Sequence, residues 1–322
     1  MGALLKKLIL LLALAGLAGA ALAQSVYPNK PVRVIVGFPP GGSNDIIARL
    51  VSAKLQEALA QPIIVENKLG ADGIIATEFA AKSTPDGYTL AVGSTGQMIV
   101  NMVVYSKVPF DPVRDFAPIT LMGYFPIVLA VHPSFPAKTV RELIALAKSR
   151  PGQFNYGTGG STFHLTMEMF NQAAGIDVRH IPYKGSAMTV NAAVANDVQM
   201  LFIDATAVLA SLKGGKLRGL AVAAKERTPL LPDLPTIAES GLPGFNMAGW
   251  LGLFAPAGTP ADVVSKLNRE VVRIVNLADI REKMVNLGID SGGNTPGEFA
   301  AIIKLDLERW GAAARAGNIK VK

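Results

Sequence analysis

A short apolar run, Val32–Val36, breaks into Pro39-Pro40-Gly41-Gly42-Ser43-Asn44-Asp45, and an amphipathic helix pattern follows at once. A buried strand that turns through glycine and restarts as a helix leaves backbone N–H groups without intrahelical partners. Those groups face whatever lies beyond the carboxyl end of the strand, and the helix dipole adds partial positive charge there. Gly41 and Gly42 allow positive φ and close approach of a ligand to the backbone, while Pro39 and Pro40 stiffen the entry. A small anion fits such a turn. An ordinary strand–helix connection fits it as well, and the loop alone leaves both readings open.

The same unit recurs along the chain. Ile47, Leu50, Val51, Leu55 and Ala58 share one helical face, with Arg49, Gln56 and Glu57 off it. Residues 62–66 read as the next strand, 72–82 as a helix stopped by Pro85-Asp86-Gly87, and 88–92 as a third strand. This order implies a parallel sheet with helices on its faces, and such sheets bind ligands at the carboxyl ends of their strands. Thr95, Gly96 and Gln97 follow the third strand at that end and form a second candidate wall.

From residue 125 the pattern restarts, with a strand over 125–131 and a helix opened by the capping box Thr139-Val140-Arg141-Glu142. Thr158-Gly159-Gly160-Ser161-Thr162 repeats the small polar design of the first loop and runs into another helix. Residues 178–182 are a further strand, with Tyr183-Lys184-Gly185-Ser186 at the next helix start. Residues 198–202 lead to Asp204, and 217–223 close this second unit. Loops rich in proline and glycine then precede a mainly helical tail. In that tail Thr259-Pro260 reads as a cap with a first-turn proline, and Thr295-Pro296-Gly297-Glu298 as a capping box. Two glycine-rich anion loops in successive α/β units suggest a ligand clamped between two lobes, with hinges near Gly123 and Ala223.

Lys6 and Lys7 precede residues 8–22, an almost unbroken Leu/Ala/Ile/Gly stretch that ends in Ala21-Leu22-Ala23. A basic start, a short apolar core and small residues at its end make a secretory signal peptide over 1–23. The alternative, a retained membrane anchor, requires a longer run. Removing Lys6 and Lys7 leaves 29 basic residues against 24 acidic ones, a net charge of +5. That excess is scattered, so it reads as a solvated surface and not as a nucleic-acid site. The chain has no cysteine, which excludes disulfides, metal–thiolate sites and cysteine nucleophiles. Core packing alone must hold it, and a chain of this length can supply that as two lobes.

Catalytic chemistry finds little support in the sequence. The three histidines, His132, His164 and His180, have no HxxxH or HxH spacing, so no metal site is expected. His164 lies one turn into the helix after Ser161-Thr162, where it either faces the cleft or packs beneath the loop. Ser161 lacks a Gly-x-Ser-x-Gly frame and reads as a helix cap before a nucleophile. No loop matches GxGxxG or the P-loop pattern, so no nucleotide cofactor is expected. Asp45 would repel an anion that it faced, so bracing the loop suits it better than touching a ligand.

Seven stretches in order along the mature chain carry a family resemblance. They are Tyr27-Pro28-Asn29-Lys30-Pro31, Phe38-Pro39-Pro40-Gly41-Gly42, Val65-Glu66-Asn67-Lys68, Pro85-Asp86-Gly87-Tyr88-Thr89-Leu90, Val108-Pro109-Phe110-Asp111-Pro112, Ile181-Pro182-Tyr183-Lys184-Gly185 and Gly252-Leu253-Phe254-Ala255-Pro256-Ala257-Gly258-Thr259-Pro260. The sequence resembles the extracytoplasmic solute-binding receptors of tripartite tricarboxylate transporters, the Bug proteins. The resemblance implies an α/β two-lobed periplasmic binding protein, a Venus flytrap with parallel-sheet-based lobes joined by hinge strands. Lobe I would hold 24–123 and 225–322, and lobe II 124–224.

What the resemblance implies is a monomeric periplasmic receptor, neither an enzyme nor membrane-embedded, that needs no cofactor. It would bind a small carboxylate between the lobes and deliver it to a permease of one large and one small membrane subunit. Some relatives serve a sensor kinase instead. A periplasmic hydrolase or transferase using Ser161 or His164 is the rival from another class. The candidate ligand-binding set is Gly41, Gly42, Ser43, Asn44 and Asp45 with Thr95, Gly96 and Gln97 in the first lobe. In the second it is Thr158, Gly160, Ser161, Thr162, His164, Lys184, Gly185, Ser186 and Asp204. Three departures mark this chain: Asn44 replaces the usual hydroxyl residue, the loop at 157–164 is shorter than usual, and Ile203 stands where an acid is common. A less polar pocket beside Ile203 points to a ligand bulkier or more apolar than an amino acid.

Overall fold

The computed structural model describes residues 27–316, so the expected signal peptide over 1–23 lies outside the described residues. Three short runs build the first sheet: Val32–Val36 (β1), Ile63–Asn67 (β2) and Thr89–Ser94 (β3). β1 pairs in parallel with β2 on one side and with β3 on the other. The connecting helices, Ser43–Leu59 (α1) and Ile74–Ala81 (α2), make these parallel crossovers possible. The expected helix over 72–82 begins instead as a tight turn, Ala71–Gly73, before α2.

Beyond β3 the sheet changes direction. Phe116–Phe125 (β4) and Gly249–Pro256 (β10) pair with each other antiparallel, and β10 lies antiparallel to β3. With Asp290–Ser291 (β11) at the edge, the order is β11-β4-β10-β3-β1-β2. Neither β4 nor β10 is among the strands expected from the sequence. Periodicity alone does not separate a continuous buried strand from a buried helical segment, and only pairing across the sheet decides.

The second sheet is built from Ile127–Val131 (β5), Asn155–Thr158 (β6), Arg179–Pro182 (β7), Met200–Asp204 (β8) and Arg218–Val222 (β9), in the order β7-β6-β8-β5-β9. β6 runs parallel to β7 and β8, while β5 runs antiparallel to β8 and β9. Both sheets therefore have a parallel core extended by antiparallel strands. Their helices are Val140–Ser149 (α4), Ser161–Ala174 (α5), Ser186–Val194 (α6) and Ala205–Lys213 (α7) on the second sheet. A short helix, Asn101–Val104 (α3), follows β3, and Ala261–Val275 (α8), Ala278–Asn286 (α9) and Pro296–Ala316 (α10) complete the first.

The strand expected over 125–131 is two elements. β4 keeps pairing with β10 through Phe125, so the chain leaves the first sheet at Pro126. Pro126 has no N–H to continue a ladder, and its carbonyl accepts from Ala205 N at 3.0 Å. Ala223 N–H donates to Ile127 O, the following loop stays on β9 through Val222 N to Pro235 O and Ile237 N to Val222 O, and Met247 N donates to Ala223 O just before β10.

Helix starts follow local chemistry with two adjustments. Thr295 and Glu298 bond each other's backbone N–H groups at 3.2 and 2.8 Å, a complete capping box at the start of α10. Thr139 accepts from Glu142 N, but the Glu142 carboxylate takes the N–H of Lys138 and not that of the cap. Thr259 does not cap α8. Its hydroxyl donates to Pro256 O at 2.8 Å, and Pro260 occupies the cap position.

Candidate functional site

Three helix starts meet between the two sheets. Gly42 caps α1, Gly160 caps α5 and Gly185 caps α6, and none of the three helices has a side-chain cap bond. Each cap glycine is followed by a serine, Ser43, Ser161 or Ser186. The loops that carry them are in close contact. A Cβ on Gly159 would lie 2.4 Å from Gly185 C and 2.5 Å from Ser186 N, so only glycine lets these two loops touch. Gly185 faces Pro39 and Gly160 faces Phe38 of the first loop. A Cβ on Gly96 would stand 2.7 Å from Thr162 Oγ1 across the cleft. The two lobes are closed on each other.

In the first lobe several candidate residues brace the loop. Asp45 Oδ2 accepts from Gly41 N at 3.0 Å, and its carboxylate also takes Arg49 and Asn67. Burial works to raise the Asp45 carboxyl, but the bonds from Arg49, Asn67 and Gly41 outweigh it and hold it below the usual carboxylate range. Asn44 Nδ2 donates to Gln97 Oε1 at 3.3 Å, and Gln97 Nε2 donates to Thr77 Oγ1 at 3.2 Å. Thr95 Oγ1 accepts from Trp250 N at 2.8 Å. The side chains of Asn44, Asp45, Thr95 and Gln97 are thus engaged in supporting bonds, and the N–H groups of Gly41 and Gly42 turn to Asp45 Oδ2 and Pro39 O, so the first lobe offers a ligand the backbone at the start of α1.

In the second lobe Ser161 is not a cap. Its Oγ donates across the cleft to Asn101 Oδ1 at 2.7 Å, and Gly160 holds the cap position. Asp204 is completely buried and accepts from Ser186 Oγ at 2.7 Å and Ala207 N at 3.0 Å, so it caps α7. Ser43 of the first lobe adds a side-chain bond to it. Burial pushes the Asp204 carboxyl up, against the lowering effect of those bonds. Thr158 Oγ1 lies 2.7 Å from His180 Nε2, and the rings of His164 and His180 stack at 4.0 Å. His164 Nε2 is 3.8 Å from Glu168 Oε1, which also accepts from Tyr156 Oη. His164 thus lines the cleft while packing on His180. Lys184 is exposed on the loop before α6.

Such an arrangement holds an anion by backbone. Uncapped N–H groups at three helix starts carry partial positive charge into one closed space. Ser161 bonds an amide oxygen, and among the described residues no group of His, Asp and Glu is placed to hold a metal ion.

Residues 47–319 match the family described as the tripartite tricarboxylate transporter family receptor, TctC. The chain belongs to the TctC family. BugT of Bordetella pertussis is 34% identical over 318 residues, spanning 97% of this chain and 96% of that protein. Among solved structures, an R. palustris protein with adipate superimposes with a TM-score of 0.89 at 34% identity, covering 92% of this chain and all of that one. MatC from Rhodopseudomonas palustris with bound malate gives 0.85 at 33% identity, covering 89% of this chain and 99% of that one. The fold is therefore that of a two-lobed periplasmic binding protein, and TctC proteins are solute receptors. Among the described residues no helix is long and apolar enough to cross a membrane.

Sequence reasoning passed over Asn101, Asp72, Tyr105 and His180 as site residues. Asn101 and Tyr105 lie in a segment with no glycine-rich helix start, Asp72 sits between Gly70 and Gly73 in a turn that the sequence reads as helix, and His180 sits on a strand. The Gly-Ser pair at each of three helix starts is the one signal that links the two lobes in the sequence.

Proposed function

We propose that this protein is an exported receptor that captures a small organic carboxylate between its lobes and hands it to a membrane permease of one large and one small subunit. It carries out no reaction on the ligand. After loss of residues 1–23 it works as a monomer in the periplasm, with lobe I built on the sheet β11-β4-β10-β3-β1-β2 and lobe II on the sheet β7-β6-β8-β5-β9. One observation carries this reading: three uncapped Gly-Ser helix starts converge on a single closed cleft. The adipate- and malate-bound relatives support the ligand class.

Gly42→Val tests it. Gly42 has φ −82°, and a Cβ there would meet Pro39 O at 3.6 Å, an ordinary contact, so the variant folds. Its branched side chain covers the N–H groups that hold the carboxylate. A thermal-shift screen over mono- and dicarboxylates identifies ligands of the wild-type protein, because a ligand that binds only the folded form raises the midpoint. Calorimetry should then show loss of binding in folded Gly42→Val. Wild-type affinity in that variant rules the site out, and a screen without a single carboxylate hit rules the function out.

A further inference from the structure

Beside the helix starts, the cleft continues as a small chamber lined by Tyr105 and Asp72 of the first lobe and by His164, His180 and Tyr183 of the second. None of the residues lining it is Lys or Arg. Asp72 stands in the left-handed region, φ 51°, and its position is fixed twice. Tyr105 Oη donates to its Oδ2 at 2.7 Å, and Asn101 Nδ2 donates to its backbone carbonyl at 3.0 Å. The same Asn101 receives the Ser161 hydroxyl, so closing the lobes brings Asp72 opposite the second-lobe wall. On that wall Tyr156, His180 and His164 form a cluster of flat rings, with centroids at 4.9 and 4.0 Å along the series.

Two chemical consequences follow. A second carboxylate in this chamber would meet the Asp72 carboxylate with Glu168 behind His164, and repulsion between like charges disfavours it. A flat, neutral group finds ring faces there, and a hydrogen-bond donor finds the open oxygen of Asp72.

Building on the receptor reading above, we infer that the ligand carries a single carboxylate. It places that group on the helix starts and a planar, hydrogen-bond-donating end, such as an aromatic amine or phenol, against Asp72 and the histidine rings. The chamber thus selects aromatic monocarboxylates over dicarboxylates.

Calorimetry at neutral pH on the mature chain, stripped of bound solute by unfolding and refolding, tests this with matched probes. 4-Aminobenzoate and terephthalate share one ring and differ in whether the far end is an amine or a second carboxylate; adipate is the flexible dicarboxylate. The expected result is 4-aminobenzoate at least about tenfold tighter than terephthalate and adipate. Asp72→Asn keeps an oxygen for Tyr105 and tolerates the left-handed backbone, and it should shrink the gap between the two ring probes severalfold. Terephthalate or adipate binding as tightly as 4-aminobenzoate, or an unchanged gap in Asp72→Asn, overturns the inference and leaves the receptor function standing. If none of the three binds while another carboxylate in the screen does, the inference alone falls. If no carboxylate binds, both fall.

Discussion

A carboxyl with no exposed surface, set between serine hydroxyls and a helix start, is costly to ionise, and Asp204 is that group. Its folded-state value lies above the ordinary 3.8, so the native protein holds a proton there over a range where the unfolded chain has lost it. Stability contributed by Asp204 is therefore lost as pH rises from about 4 through the raised value. Asp204→Asn removes the titration while an amide oxygen still accepts from Ala207 N. The variant's melting temperature should fall less steeply with pH above about 4, and should exceed that of the wild type at pH 7. Parallel pH profiles for the two proteins would contradict this assignment. Ser161→Ala leaves Asn101 Oδ1 without its cross-cleft donor. Ligand affinity should drop by about 0.5–1.5 kcal/mol, measured by calorimetry. Unchanged affinity would show that this bond is absent from the liganded state.

Among elements, the two glycines before α5 behave differently despite being neighbours. A methyl group on Gly159 meets the backbone of Gly185 and Ser186, which cannot yield as a side chain could, whereas one on Gly160 finds its nearest atom 3.9 Å away, on the Phe38 ring. Gly159→Ala should pry apart the starts of α5 and α6 and weaken ligand binding strongly, while Gly160→Ala should bind nearly as the wild type. Equal affinities in the pair would show that the contact between these loops does not shape the site. β10 offers a test of packing. A Cβ on Gly252 would fall 2.2 Å from the Phe299 ring of α10, which also packs edge-on against Trp250 at 5.2 Å. Gly252→Ala should cost about 1–3 kcal/mol in chemical denaturation, the usual range for overpacking a core.

For the whole molecule, closure depends on close approach between the lobes at Gly96 and Thr162 and on the Ser161–Asn101 bond. A ligand drives closure only if it binds the closed form better than the open one. Gly96→Val puts a branched side chain into the 2.7 Å gap to Thr162 Oγ1 and should prop the cleft open. Small-angle scattering should show compaction on ligand addition in the wild type and little or none in Gly96→Val. Equal compaction in both would remove Gly96 from the closing surface.

The strand–glycine–helix units, the helix caps at Thr139 and Thr295, the parallel pairing of β1 with its neighbours and the family itself are legible in the sequence. They rest on preferences set within a few residues, such as the freedom of glycine at a turn, the reach of a capping oxygen and the period of an apolar face. Only the tertiary structure decided that β4 and β10 join the first sheet antiparallel, that Thr95 serves Trp250, and that Asn44 serves Gln97. It alone brought Asp72, Tyr105 and Asn101 opposite His180 and Ser161. The partners in these bonds stand 155 residues apart for Thr95 and Trp250 and 60 apart for Ser161 and Asn101. Local sequence fixes which donors exist at a helix start, but which of them the fold consumes depends on packing between distant segments, and that choice sets what remains for a ligand.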